Sequence, residues 1–271
     1  MRRPAPVHPP DYHVHTRFSI DSRSEMSAVC EEAVARGLRE VAFTDHLNWG
    51  PGYPTDHLDL DQYAAEVDRC RALFDGRLRV RLGLEVGEPH VFAGRVAPLL
   101  RDRPFDIVLG SVHYVGGSRP IFEEAYFARP TREACGAYFR DVAALAAEGD
   151  YDVLAHLDVI RRYAREFGRV YDGPAPYADP IRAALRAVVE RGKGIEVNTF
   201  ALRSGHDEPF PSLEILRWYR ELGGEVLALG SDAHVPEDVG SSFDGALEML
   251  RGLGFTRLAT FERREMRWIA I

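Results

Sequence analysis

The sequence of 271 residues has few cysteines, no long apolar run and no surplus of positive charge. Cys30, Cys70 and Cys135 are widely spaced and form no CxxC pair, so we expect buried thiols rather than a disulfide framework. No apolar stretch approaches the roughly 18 residues of a membrane span, and we expect a cytoplasmic protein. The formal net charge of −8 argues against a nucleic-acid groove, which usually needs a basic stripe.

Short apolar strands alternate with amphipathic helical segments along the whole chain. The predicted strands are Tyr12–His15, Val41–Thr44, Val80–Val86, Ile107–Val112, Val153–Leu157, Gly194–Asn198 and Val226–Gly230. The predicted helices are Ser27–Arg36, Asp61–Phe74, Arg132–Glu148, Pro180–Arg191, Ser212–Leu222 and Phe243–Leu253. Such alternation is typical of parallel βαβ units. It predicts one α/β domain over residues 11–271, closed into a barrel.

Three further segments have no such pattern. Residues 1–10 are basic and rich in proline, and we expect a loose lead-in there because no apolar signal core follows. The stretches Asn48–Leu60 and Arg161–Pro176 are rich in Pro, Gly, Tyr and charge. Long irregular loops are often functional, so both are candidate walls of a site.

Histidines and carboxylates gather at the C-terminal ends of the predicted strands. They are His13 and His15, Asp45 and His46, Glu85, His113, His156 with Asp158, and Asp232 with His234. In a parallel barrel these ends surround one pocket. Imidazole and carboxylate ligands together suit Zn, Fe and Mn, and the absence of cysteine from the set argues against a structural thiolate site.

Each motif has an ordinary structural explanation when it is taken alone. A strand-end aspartate such as Asp45 often caps the next helix, and Asp158 has Arg161 and Arg162 nearby in sequence as ion-pair partners. These explanations would have to coincide at six of the seven predicted strand ends. The joint pattern therefore favours a metal site.

The motifs resemble those of the PHP (polymerase and histidinol phosphatase) superfamily, in family order and over nearly the whole chain. They read DYHVHT at 11–16, FTDH at 43–46, GLE at 83–85, GSVH at 110–113, HLD at 156–158 and GSDAH at 230–234. Further motifs are similar to those of the histidinol-phosphate phosphatase branch. They are EVNT at 196–199, Leu202-Arg203, Pro211-Ser212, and Val239-Gly240 with Phe243. The resemblance implies a distorted (β/α)7 barrel, TIM-barrel-like, and a phosphatase of histidine biosynthesis that hydrolyses L-histidinol phosphate.

The resemblance also implies up to three divalent ions, Zn, Fe or Mn. The first ion would take His13, His15, Glu85 and Asp232, and the second would share Glu85 and add His113 and His156. The third would take His46, His234 and Asp21. At the position of Asp21 some family members have histidine. Its occupancy and the metal at each site stay open.

A phosphatase needs groups for the phosphate and for the leaving alkoxide as well. Guanidinium groups match phosphate oxygens in bidentate geometry, and Arg203 and either Arg161 or Arg162 follow strand ends; the branch resemblance slightly favours Arg161. His206 is a further candidate at the phosphate. Metal-bound hydroxide would attack, with Glu85 setting the spacing of the ions. The proton donor, Asp158 or a metal-bound water, stays undecided.

Three alternative functions compete with this hypothesis. One is a different phosphoesterase of the same superfamily, including an exonuclease, although the acidic balance favours a small phosphate ester as partner. Another is a metal-binding module without catalysis, although every expected ligand position holds a competent side chain. The last is a metal-dependent amidohydrolase. Such enzymes usually have a lysine that bridges the metal ions, and no predicted strand ends in a lysine. The oligomeric state does not follow from the sequence.

Overall fold

The computed structural model describes residues 9–54 and 57–271. The predicted lead-in, residues 1–10, lies outside the described residues except for Pro9 and Pro10, which are buried. The helices are α1 Met26–Ala35, α2 Leu60–Leu73, α3 Ala93–Asp102, α4 Thr131–Glu148, α5 Ile160–Glu166, α6 Ala178–Glu190, α7 Phe200–Arg203, α8 Leu213–Glu221 and α9 Phe243–Gly252. Across these ranges no helix is long and apolar enough to cross a membrane.

The strands form one curled parallel sheet and two small hairpins. They are β1 Glu40–Phe43, β2 His46–Leu47, β3 Arg79–Gly87, β4 Ile107–Ser111, β5 Tyr114–Val115, β6 Arg119–Pro120, β7 Val153–Leu154, β8 Gly194–Asn198, β9 Leu227–Gly230, β10 Arg257–Glu262 and β11 Glu265–Ala270. The large sheet has the order β1-β3-β4-β7-β8-β9, and β2 continues the β1 edge along β3. All of its pairings are parallel.

The segment 11–15 closes this sheet into a barrel. The Tyr12 amide donates to the Leu229 carbonyl (2.9 Å) on one side, and the Ala42 amide donates to the Asp11 carbonyl (2.8 Å) on the other. The predicted (β/α)7 barrel is therefore present, with this segment as its seventh strand position. The predicted regular strand Tyr12–His15 is wrong in detail, because the segment makes only isolated bridges, Asp11 with Val41 and Val14 with Ala233.

Buried apolar faces explain why the elements form where they do. In α6 the buried residues Ile181, Ala184, Leu185 and Val188 recur at helical spacing and face the core. Strand β8 is buried at all five positions, as expected of a parallel strand covered by helices.

Two predicted segments need correction. The predicted strand Val153–Leu157 is regular only over Val153–Leu154, because the amide of His156 donates to the Glu196 carboxylate (2.7 Å) instead of continuing the ladder. The predicted irregular stretch Arg161–Pro176 contains α5. That helix is too short to show apolar periodicity in the sequence, since it buries only Ile160 and Ala164.

The C-terminal hairpin β10–β11 plugs the N-terminal end of the barrel. Phe261 and Ala259 join a buried cluster with Tyr12 and with residues of β1, β4, β7 and β9. The amide of Phe261 donates to the Tyr12 hydroxyl (2.9 Å). This end is therefore filled by side chains, which leaves the opposite end, at the strand C-termini, for a site.

Candidate metal centre

Nine side chains meet at the C-terminal end of the barrel, and Glu85 lies at their centre. They are His13, His15, Asp21, His46, Glu85, His113, His156, Asp232 and His234, the same nine that the sequence predicts as metal ligands. Glu85 is fully buried on β3. One of its oxygens lies 2.7 Å from His46 Nδ1 and 3.3 Å from His13 Nε2. The other lies 2.9 Å from His156 Nε2 and 3.2 Å from His113 Nε2.

Sheet register brings these groups together. The pairing of β2 with β3 sets His46 directly beside Glu85, and closure by the segment 11–15 sets His13 and His15 against β9. Gly230, at the end of β9, allows this approach: a Cβ there would lie 2.5 Å from the His13 Cβ and 2.0 Å from a Glu196 oxygen. No side chain fits at that position.

Asp232 follows Gly230 in a left-handed backbone conformation, with φ of 54°. One of its oxygens lies 3.4 Å from His15 Nε2 and 3.7 Å from His13 Nε2. A non-glycine residue in this conformation costs energy unless its surroundings hold it there. The unusual backbone therefore directs a carboxylate at the two histidines of the closing segment.

Three histidines use one ring nitrogen for an outer contact and point the other at the carboxylates. His13 Nδ1 lies 2.7 Å from Glu196 Oε1, and His15 Nδ1 lies 3.1 Å from Ser19 Oγ. His113 Nδ1 lies 3.3 Å from Asn48 Oδ1. Metal-bound histidines have this arrangement, because the outer partner fixes the tautomer and the ring orientation.

Several atoms that face the centre make no hydrogen bond of good geometry, although they lie close to one another. Within the described residues these include His13 Nε2, His15 Nε2, His46 Nδ1 and Glu85 Oε2. Buried polar atoms are almost always paired, so their convergence is unexplained by the protein alone. A divalent cation satisfies both the lone pairs and the charge.

The electrostatics of the centre are dominated by burial and close opposite charges. Burial alone would raise the pKa of Glu85, but the imidazoles of His46, His13 and His113 hold it well below its usual value. Burial lowers the pKa of His46, but Glu85 and Asp21 outweigh it and raise the pKa to about 10. Burial and the neighbouring His46 and His234 lower the pKa of His15 to about 3. Metal binding needs neutral imidazoles, so at neutral pH it must displace protons from this site.

Four groups of three side chains bring their ligand atoms within 4.8 Å of one another. They are His13, His15 and Asp232; His13, Glu85 and His156; His46, Glu85 and His113; and His15, His46 and His234. The groups share members, as expected for ions that share bridging ligands. Asp21 extends the last group, because its Oδ2 lies 3.3 Å from His46 Nε2 and 3.2 Å from His234 Nε2.

Two of the predicted phosphate-binding residues, Arg203 and Arg161, already contact protein groups, Arg161 through only one of its terminal nitrogens. Arg203 donates to the carbonyls of Ser231 and Asp232 and lies 3.0 Å from an Asp238 oxygen. Arg161 Nη2 donates to the carbonyls of Glu208 and Pro209. Both guanidinium groups hold loops in place.

Arg162 has no such commitment. Its guanidinium carbon lies 4.0 Å from the centre of the Phe200 ring. The guanidinium carbon of Arg203 lies 4.7 Å from the centre of the same ring. Among residues 9–54 and 57–271 it has no carboxylate partner and donates no side-chain hydrogen bond. Its donors are therefore not used by protein groups in that part of the chain.

Asp158 and His206 lie on the same wall as these arginines. Asp158 is fully buried, accepts from the Ser212 amide (3.0 Å) and lies 3.2 Å from Arg161 Nε. The ion pair between Asp158 and Arg161 is the ordinary structural role that the sequence analysis considers for Asp158. Burial raises the pKa of Asp158, and its other oxygen has no partner in the described part of the chain. The His206 ring packs edge-on against Phe210; burial and nearby arginines lower its pKa to about 4.

Sequence reasoning missed the residues that orient the ligands, namely Glu196, Ser19 and Asn48. Glu196 Oε1 contacts His13, and its Oε2 accepts from the amide of His156 and from Asn198 Nδ2 (3.2 Å). One signal was available for Glu196, because a carboxylate inside an otherwise apolar buried strand needs a partner. Ser19 and Asn48 lie in loops and carry no comparable signal.

The sequence matches the profile of the PHP domain over residues 11–200. The chain is 31% identical to a histidinol-phosphatase of Lactococcus lactis subsp. lactis over 258 residues, which cover 93% of each protein. It is 32% identical to a probable histidinol-phosphatase of Clostridium acetobutylicum over 267 residues, covering 95% of this chain and 98% of that protein.

The fold is also similar to a solved structure. The crystal structure of histidinol phosphate phosphatase from Lactococcus lactis, complexed with zinc, L-histidinol and phosphate, superposes with a TM-score of 0.87 at 28% identity. The similarity covers 96% of this chain and 99% of that one.

Proposed function

The chain belongs to the PHP domain family, and we propose that it is a metal-dependent phosphatase that hydrolyses L-histidinol phosphate to L-histidinol and inorganic phosphate in histidine biosynthesis. The observation that carries this proposal is the meeting of six histidines and two aspartates around Glu85. Relatives of nearly the same length are a histidinol-phosphatase and a probable histidinol-phosphatase, and a histidinol phosphate phosphatase of Lactococcus lactis has been solved with zinc, L-histidinol and phosphate.

The nine side chains would hold up to three divalent ions. His13, His15, Glu85 and Asp232 would hold one, and Glu85 with His113 and His156 a second. Asp21, His46 and His234 would hold a third. Their nitrogen and oxygen donors suit Zn, Fe and Mn alike, and zinc is the ion named for the Lactococcus lactis structure.

Bound divalent ions supply a nucleophile by lowering the pKa of water and clamp phosphoryl oxygens during in-line displacement. The protein's part is to hold the ligands rigidly. Glu85 directs its two oxygens at different histidine pairs, which suits a carboxylate that bridges two ions. Glu196, Ser19 and Asn48 fix the ring orientations around it.

Arg161 and Arg203 remain the proposed phosphate contacts, and Arg162 is a further candidate, because its guanidinium has no hydrogen-bond or ion-pair partner among the described residues. Arg161 donates to main-chain carbonyls from Nη2 alone, so its Nη1 could contact phosphate without breaking a bond, whereas Arg203 would have to give up a carbonyl or its pairing with Asp238. His206, on the same wall, would contact phosphate as an uncharged ring at neutral pH. Asp158 is the protein's candidate proton donor to the leaving alkoxide, because burial favours its protonated form; a water at the metals is the other.

A small phosphate ester fits the chain better than a nucleic acid, because the chain's net charge of −8 would repel a polyanionic strand. Residues 11–271 would act as one catalytic domain, since the main core cluster draws on every helix from α1 to α9. The three free, buried cysteines suit the reducing cytoplasm. Another phosphoesterase activity at the same site is the alternative function.

Substitution of Glu85 tests the site directly. We expect Glu85→Gln to lower kcat/KM for L-histidinol phosphate by about 10³-fold or more, because the charge that two ions would share is removed. Metal content per protein should fall in the same preparation. Glu190→Gln, at an exposed position of α6, is the control and should match the unmodified enzyme. Full activity and full metal content in Glu85→Gln would refute the proposed site.

A further inference from the structure

A cavity lies at the opposite end of the barrel from the metal centre. Its volume is about 840 Å³, and it is lined by the starts of β1 and β3, the turn after α2 and the hairpin β10–β11. Arg79, in its wall, precedes Glu85 by six residues along β3. At about 3.3 Å per residue of strand, the cavity lies roughly 20 Å from the metal centre.

The walls of this cavity are strongly basic in an acidic protein. Six arginines line it, against the three carboxylates of Glu40, Asp75 and Glu262. The six are Arg39, Arg71, Arg77, Arg79, Arg81 and Arg267. Because the whole chain carries a formal charge of −8, this concentration of guanidinium groups is a local feature.

Part of the positive charge is neutralised inside the wall. Arg79 Nε lies 2.6 Å from a Glu40 oxygen, and Arg81 contacts both Glu40 (3.3 Å) and Glu262 (3.0 Å). Arg71 is paired with Asp68 (2.9 Å) and Asp106 (2.7 Å). These pairs fix the floor of the cavity and leave few donors there for a ligand.

The remaining arginines keep free donors. Within the described residues, Arg39 makes no side-chain hydrogen bond or ion pair, and Arg77 donates only to the carbonyl of Leu73 (3.2 Å). Arg79 uses only Nε, so its two terminal nitrogens are free, and Arg267 reaches Glu262 only at 3.6 Å. Several unneutralised guanidinium groups on one concave surface form a receptor for an anion with more than one charged group.

Leu78, Val80 and Phe261 also line the cavity but are almost fully buried, so recognition there rests on the guanidinium groups, and the volume of the cavity is that of a site for a small ligand. We propose that it binds a small molecule that carries a diphosphate group, with the phosphoryl groups on Arg39, Arg77 and Arg79; ADP is the probe of this class. The inference uses none of the metal-site residues and is independent of the proposed function.

Calorimetric titration of the metal-loaded enzyme with ADP tests this, with adenosine as the uncharged control. We expect ADP to bind at this cavity with an affinity that falls as salt is raised and adenosine to bind at least tenfold more weakly. The double variant Arg39→Gln/Arg77→Gln should lose about 100-fold in affinity, since each charged hydrogen bond is worth about a factor of ten or more. Arg186→Gln, at an exposed position of α6 outside the cavity, should bind like the unmodified enzyme.

Phosphatase activity and the melting temperature of the double variant report separately on its folding and its metal site, and both should be unchanged. ADP binding that is lost in this variant while its phosphatase activity persists would establish the cavity as the site. ADP binding that survives in the double variant, including binding that is abolished only by chelation of the metals, would overturn the proposal, as would equal affinity for adenosine.

Discussion

At the scale of single residues, the centre depends on side chains that do not themselves face the ions. Glu196 joins two ligands, because one oxygen contacts the His13 ring and the other accepts from the backbone of His156. Its carboxylate fixes which nitrogen of His13 faces the centre. Glu196 is therefore a positioning residue whose loss acts through the metal.

We expect Glu196→Gln to weaken metal binding and activity by about 10–100-fold, the usual effect of removing an outer partner of a metal-bound histidine. Activity measured against added metal should be partly restored at high metal concentration, because the ligands themselves remain. Glu190→Gln serves again as the control. An unchanged metal affinity with normal activity would contradict the positioning role.

The arginines give a second prediction at this scale. Arg162→Ala should lower kcat/KM for L-histidinol phosphate by at least tenfold with metal content and melting temperature unchanged, because it removes only a ligand contact. Arg203→Ala should also reduce metal content, since Arg203 holds the carbonyl of Asp232 (2.8 Å). Full activity of Arg162→Ala would remove it from the phosphate site.

The convergence of eight of the nine candidate ligands could be predicted from the sequence, because each lies at a predicted strand end and parallel topology brings strand ends together; Asp21 came only from the family resemblance. The contacts of the arginines could not be predicted from the sequence, since Arg161 and Arg162 are adjacent and chemically identical. Only the fold decides that Arg161 turns to Asp158 and the carbonyls of the 208–209 loop while Arg162 lies over Phe200.

At the scale of elements, closure of the barrel rests on a short segment rather than a regular strand. The segment 11–15 divides its backbone hydrogen bonds between β1 on one side and β9 on the other. Asp11 anchors it, accepting from the Ser231 amide (2.9 Å), the Ser231 hydroxyl and the Gly240 amide (2.8 Å). The element that carries His13 and His15 is thus tied to the loop that carries Asp232.

We expect Asp11→Ala to destabilise the fold by about 2–4 kcal/mol, because it leaves several buried donors without an acceptor. Urea unfolding of the metal-free protein measures this without a contribution from bound ions. Asp172→Ala, at an exposed position, is the control and should change stability by less than about 0.5 kcal/mol. A stability loss no larger than that of the control would show that closure does not depend on Asp11.

The boundaries of the helices and strands show which elements can be predicted from sequence patterns and which cannot. The longer buried strands β3, β4 and β8 were predicted within two residues, because a run of apolar residues identifies them. Helix α3 and the hairpin β10–β11 were not predicted; β11 is exposed at nearly every position, so it has no buried face to mark it as a strand. Helix α5 is too short for a periodic signal.

At the scale of the whole molecule, the two ends of the barrel have opposite characters. One end gathers carboxylates and imidazoles that need cations, and the other gathers arginines that need anions. The (β/α)7 barrel was predictable as a class from the alternation of elements and from the family resemblance. The basic cavity was not predictable, because its arginines come from the starts of strands and from a hairpin that the alternation of strands and helices does not reveal.

The most direct test of the account is phosphate release from L-histidinol phosphate, measured beside generic phosphate monoesters and a dinucleotide, with metals quantified in the same preparation. We predict a strong preference for L-histidinol phosphate, bound divalent metal, loss of activity on chelation and recovery when zinc or manganese is returned. Metal-bound enzyme with no preference for this substrate, or activity that survives complete removal of metal, would contradict the central claim.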